Sequence, residues 1–91
     1  MEITFSKSGQ SWVSEFQVSG DFNLHVERSN GDVFSVYQRT SQSGEFAYVE
    51  GLGTQTGKKV IEFDFTGAIY PKHIKVVCDT KPTMAVVTVN E

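Results

Sequence analysis

The chain has 91 residues, the usual size of one domain, and a net charge of −3 from eight basic and eleven acidic side chains. A composition that is 38% hydrophobic, 12% aromatic and 21% charged belongs to a folded globule and excludes a disordered or low-complexity protein. The basic residues are scattered and only Lys58 and Lys59 adjoin, so the basic stripe that a nucleic-acid partner demands is not visible.

From the N-terminus, MEITFSKSGQ lacks the apolar run of a signal peptide, and no apolar stretch approaches the roughly 20 residues of a membrane-spanning helix. A protein without a membrane segment, folded in a cytoplasm, is expected. Apolar and polar residues alternate over short segments punctuated by Gly, Asn, Asp, Ser and Pro, and no helical period is sustained, which predicts an all-β chain. Strands are expected near 2–6, 11–19, 22–28, 32–39, 45–50, 58–65, 73–79 and 83–89. About eight short strands in residues 1–91 predict a single two-sheet antiparallel β-sandwich of the jelly-roll or Greek-key type.

Trp12, Ser14, Phe16 and Val18 share one face of the second strand, and a turn at 19–21 leads into Phe22, Leu24 and Val26 on the third. Pairing Val18 with Phe22 as a hairpin puts both apolar rows on one side. Asn30-Gly31 marks the next turn. A three-residue loop with a bulge at Gly31 pairs Val26 with Phe34 and Leu24 with Val36, whereas a two-residue turn expels Phe34 and Val36 from the core. One half of the core is then Trp12, Phe16, Val18, Phe22, Leu24, Val26, Phe34 and Val36. The other half is Phe46, Tyr48, Ile61, Phe63, Phe65, Ile74 and Val76, with Ile3 and Phe5 from the first strand.

Asn23, His25, Glu27, Ser35 and Tyr37 fall on the outer face of that first sheet. A tyrosine ring can stack on a pyranose while amides and carboxylates bind hydroxyls, so Asn23, His25, Glu27 and Tyr37 make a candidate glycan-binding face. An ordinary solvated sheet surface accounts for the same residues. The string Gly51-Leu52-Gly53-Thr54-Gln55-Thr56-Gly57-Lys58-Lys59 superficially matches a phosphate-binding loop. Its spacing is wrong, Lys59 stands where a Ser or Thr is needed, and a strand follows it instead of a helix, which leaves a plain connection.

Glu62 and Asp64 point the same way on one strand, about 7 Å apart, but so small a sandwich leaves little chain for a glycosidase cleft. His25 and His73 have no metal-ligand neighbours at a recurring spacing, and Asp21 and Asp32 fit turn capping better than a calcium loop. Cys78, the single cysteine, lies on an apolar-alternating strand and is expected to be a buried, inert thiol. No catalytic residue, metal or cofactor is expected, and the chain is read as non-enzymatic.

The last two strands depart from clean alternation. If Cys78 faces Met84 across a hairpin, then Ile74, Val76, Cys78, Met84 and Val86 point inward, and Val77, Ala85, Val87 and Val89 point outward. A slip of one residue exchanges the faces of the final strand and exposes Met84 and Val86 instead. Apolar side chains on both faces are expected only where each face is covered, either by a loop or by a partner subunit. Val77, Ala85, Val87 and Val89 are therefore the candidate assembly interface, with a homo-oligomer or a larger protein assembly as the partner.

The closing run, Tyr70-Pro71-Lys72-His73-Ile74-Lys75-Val76 to Lys81-Pro82-Thr83-Met84-Ala85-Val86-Val87-Thr88-Val89, follows Gly/Ser/Thr-rich strands. In this style the chain resembles the small β-sandwich structural proteins of tailed bacteriophages, such as head decoration, head-fibre or tail-appendage subunits. The resemblance implies a virion component, made without a signal peptide, assembled in homomeric copies and acting through protein–protein contacts. It assigns no functional residues.

Overall fold

In the computed structural model, residues 1–29, 33–40, 43–49, 59–66 and 70–89 are described, and their regular structure is all β. The strands are β1 (Ser6–Ser8), β2 (Ser11–Val18), β3 (Phe22–Glu27), β4 (Phe34–Arg39), β5 (Ala47–Tyr48), β6 (Val60–Phe65), β7 (Lys72–Cys78) and β8 (Met84–Val89). They form a two-sheet sandwich, one sheet in the order β1-β2-β7-β4-β5 and the other β6-β3-β8, with every pair antiparallel. Residues 1–3 extend the smaller sheet, because Glu2 bridges Val86 and the Ile3 N–H donates to the Ala85 carbonyl at 3.1 Å. The chain then changes sheets to enter β1.

Period-two alternation determines which side chains meet between the sheets. From the larger sheet come Val18, Phe34, Val36, Ile74, Val76 and Cys78, and from the smaller come Phe22, Leu24, Val26, Ile61, Phe65, Ala85 and Val87, all buried. Aromatic contacts lock the layers together: Phe16 meets Phe22 edge-on at 6.1 Å and Phe34 meets Phe63 at 6.2 Å, both across the sheets. Within the smaller sheet Phe22 stacks on Phe65 at 4.6 Å. Such pairs add about 0.5–1.5 kcal/mol each beyond their buried area.

Among the described strands two consecutive pairs lie side by side. In the β1–β2 hairpin, Ser8 opposes Ser11 across Gly9-Gln10, and Gly9 has φ of 61°, while among the described residues no other residue type adopts positive φ. A two-residue loop with a glycine at positive φ in its first position has the type II′ form, whose twist suits the flanking strands. The other pair is β4–β5, with Tyr37 opposite Tyr48.

The remaining connections cross between the sheets, which corrects the expected hairpins. β2 and β3, β3 and β4, and β7 and β8 are not partners: β2 and β4 flank β7, whereas β6 and β8 flank β3. Short loops can arch over the core as readily as they can turn back within a sheet, and both paths bury the same alternating residues. The Asn30-Gly31 turn and Gly51–Lys58 lie outside the described residues.

Two sets of faces also differ from expectation. Ala85 and Val87 are buried and Val89 packs against the core, so these three candidate interface residues point inward, while Met84 and Val86 point out. The cause is register on β3: Val26 opposes Ala85 and Leu24 opposes Val87, and directly opposed residues share a face. Phe46 and Tyr48 are on the outer side of the larger sheet, because Tyr48 opposes outward-facing Tyr37, and Val49 takes the inward place beside Val36.

Candidate functional site

The outer face of the five-stranded sheet is assembled in three rows by strand register. Val13, Val77 and Ser35 form the first, and Glu15, Lys75, Tyr37 and Tyr48 the second. Gln17, His73 and Arg39 form the third, with Phe46 beside Arg39. Tyr37 and Tyr48 meet edge-on at 5.6 Å. The Arg39 guanidinium lies 4.3 Å from the centre of the Phe46 ring, and Lys75 Nζ is 5.6 Å from the same ring and 5.9 Å from that of Tyr37. Cations over aromatic faces are held by the ring quadrupole, which fixes otherwise floppy side chains at this surface.

Beside Phe46 the face dips into a cleft of about 170 Å³ lined by Glu15, Gln17, Arg39 and His73 together with Phe16 and Ile74. Arg39 Nη1 donates to the Gly44 carbonyl at 2.7 Å. Arg39 Nε and His73 Nε2 are buried yet have no hydrogen-bond partner among the described residues. Polar nitrogens withdrawn from water without a partner are costly, so the cleft favours a polar group that brings an acceptor to the Arg39 Nε–H.

The outer face of the three-stranded sheet is built differently. Its rows are Val60, Glu27 and Met84; Glu62, His25 and Val86, with Glu2 beyond; and Asp64, Asn23 and Thr88. His25 Nε2 is 2.8 Å from Glu27 and Nδ1 is 3.3 Å from Glu62, while Asn23 donates to Asp64 at 3.0 Å. The hydrogen bond to Glu27 is the main reason that the imidazole pKa is raised above its ordinary 6.5; Glu62 adds to the effect and partial burial opposes it. Among the described residues no group of three or more His, Cys, Asp or Glu is placed to hold a metal ion.

The candidate glycan face is therefore divided. Asn23, His25 and Glu27 lie on the smaller sheet, and Tyr37 lies on the opposite side of the sandwich, because β3 and β4 belong to different sheets. Of the candidate interface residues only Val77 faces outward, half-buried between Val13 and Ser35. Residues that sequence reasoning missed are Arg39, Phe46, His73 and Lys75 as a group. The signal was ambiguous, since Phe46-Ala47-Tyr48-Val49 is apolar or aromatic at every position and its parity cannot be read without β4.

Cys78 is buried in the core, and burial above all pushes its thiol up to about 12, with nearby Arg28 working against the shift and Asp79 with it. Among the described residues no helix is long and apolar enough to cross a membrane. No family model matches the chain, and neither a curated protein nor a solved structure is significantly similar to it.

Proposed function

We propose that the chain is a non-enzymatic assembly subunit that docks on another protein through the outer face of its five-stranded sheet. One observation carries this reading: Val13, Val77, Tyr37, Phe46 and Tyr48 share an outer face that an isolated antiparallel sheet would normally line with polar residues. Aromatic residues and arginine are also the side chains that dominate the energetics of protein interfaces. The resemblance to small structural proteins of tailed bacteriophages suggests the setting, a capsid decoration or appendage protein in a virion.

Val77→Lys tests the reading. Val77 points away from the core and its neighbour Ser35 is small, so a lysine can run its stem along the face and put its ammonium in water. Light scattering should show a lower assembled mass for the variant, with the unfolding midpoint of the isolated subunit nearly unchanged. An assembled mass equal to that of the parent would remove this face from the interface.

A saccharide is the second reading, favoured by the exposed ring of Tyr48 beside Tyr37 and by Glu15 and Gln17 nearby. The 170 Å³ cleft is smaller than the roughly 300–1,000 Å³ of ordinary small-molecule sites, which counts against a sugar seated within it. A monomer that binds soluble glycans, and loses them on Tyr48→Ala, would favour this second reading.

A further inference from the structure

The two outer faces carry opposite charge. On the three-stranded sheet Glu2, Glu27 and Glu62 lie about His25 with Asp64 in the next row, and among the described residues no lysine or arginine shares these rows. On the five-stranded sheet Arg39 and Lys75 outnumber Glu15. Segregating opposite charges onto the two sides of a sandwich does nothing for its own core, but it makes one side complementary to the other side of an identical molecule.

The cleft sharpens this complementarity. Its volume of about 170 Å³ suits a single functional group; Arg39 Nε calls for an acceptor, His73 Nε2 donates or accepts according to its tautomer, and Glu15 also lines the cleft. A carboxylate offers two acceptor oxygens in a plane that a guanidinium edge can match. Glu62 and Asp64 are exposed on the edge strand β6, where a neighbouring molecule can reach them.

We propose that the partner docked on the five-stranded face is a second copy of this chain, which presents the acidic outer face of its three-stranded sheet and seats a carboxylate in the Arg39/His73 cleft. The proposal rests on the assembly reading above and adds the identity of the partner. Because the joined faces are different and lie on opposite sides of the molecule, the contact is head-to-tail. It leaves one free face of each kind after every addition and therefore builds rings or open chains of copies.

The experiment uses the full chain and two charge-reversed variants, Arg39→Glu/Lys75→Glu on one face and Glu62→Lys/Asp64→Lys on the other, followed by sedimentation velocity. The parent should form concentration-dependent oligomers that weaken at least about tenfold on going from low salt to 0.5 M, as screened charges require. Each variant alone should be a monomer. Mixed in equal amounts they should associate again, since the mixture keeps one intact basic face and one intact acidic face. If Arg39→Glu/Lys75→Glu fails to fold, Lys75→Glu alone takes its place, because Lys75 does not line the cleft. Oligomers of Glu62→Lys/Asp64→Lys equal to the parent's, with those of the basic-face variant lost, would overturn the self-partner and leave the assembly reading standing. A parent that is monomeric at every concentration and salt would overturn the self-partner and leave a different protein as the partner in the assembly reading.

Discussion

Arg28 shows how a charged side chain can belong to the core of so small a domain. Its side chain is fully enclosed at the end of β3, where Nη1 donates to the Val33 carbonyl at 2.8 Å, approaches Asp79 to 3.7 Å and lies 5.9 Å from the Phe34 ring centre. It follows the inward parity of Phe22, Leu24 and Val26 past the end of the strand, so alternation outweighs polarity at this position. Cys78, buried within the same core, is protected by that enclosure from the thiolate chemistry a reactive cysteine needs. His25 is the opposite case, a partly exposed imidazole held between two carboxylates. Its neighbours from every side are Glu27 and Asn23 on β3, Glu62 on β6, Val86 on β8 and Glu2 beyond Val86. A pKa raised in the folded state means that the folded chain binds the proton more tightly than the unfolded one. The stabilisation is fully present below the unfolded value near 6.5 and is lost as pH rises through the higher folded value. NMR titration should place the His25 pKa above 6.5, and Glu27→Gln should lower it more than Glu62→Gln does. A larger effect from Glu62→Gln would mean that the cross-strand carboxylate is the main partner.

At the scale of the strands, β8 is the sharpest test of register. Val87 is 1% exposed and Met84 is 46% exposed, although both are apolar and only three residues apart. Val87→Lys would force an ammonium between the sheets and should cost at least about 3 kcal/mol in urea unfolding, whereas Met84→Lys should stay within about 0.5 kcal/mol. Comparable losses at the two positions would contradict the pairing of Leu24 with Val87. The contrast also marks what was legible in the sequence. Alternation in Phe22-Asn23-Leu24-His25-Val26 and in Ile74-Lys75-Val76 gave strand positions within a few residues and an inward row that the structure keeps. Final-strand residues Met84-Ala85-Val86-Val87 are apolar at every position, and there the sequence holds no parity to read. Partners were the harder problem, because the face a residue occupies depends on its own strand while the strand beside it depends on how distant loops cross. The division of Tyr37 from His25 and the gathering of Arg39, Phe46, His73 and Lys75 both follow from such crossings, and no local pattern announces them.

The same crossings set the behaviour of the whole molecule. Neither sheet is built from a continuous stretch of chain: β2, β4, β5 and β7 alternate in sequence with β3, β6 and β8, and residues 1–8 run from the edge of one sheet to the edge of the other. Pulling β3 out of the smaller sheet therefore drags on β2 and β4 in the larger one. Each layer also supplies half of a single core, through pairs such as Phe16 with Phe22 and Phe34 with Phe63, so a sheet left alone would expose its entire inner face. For a 91-residue chain this predicts one cooperative transition with no populated state in which a single sheet survives. Two probes separate the layers. Trp12 fluorescence reports on the five-stranded sheet, where the indole packs against the core with Lys81 5.5 Å from its ring, and the His25 imidazole resonance reports on the three-stranded sheet. Their urea midpoints and slopes should coincide. Loss of the His25 signal at lower urea than the Trp12 change would show that the smaller sheet opens first, and that the β3 crossings do not bind the layers into one unit.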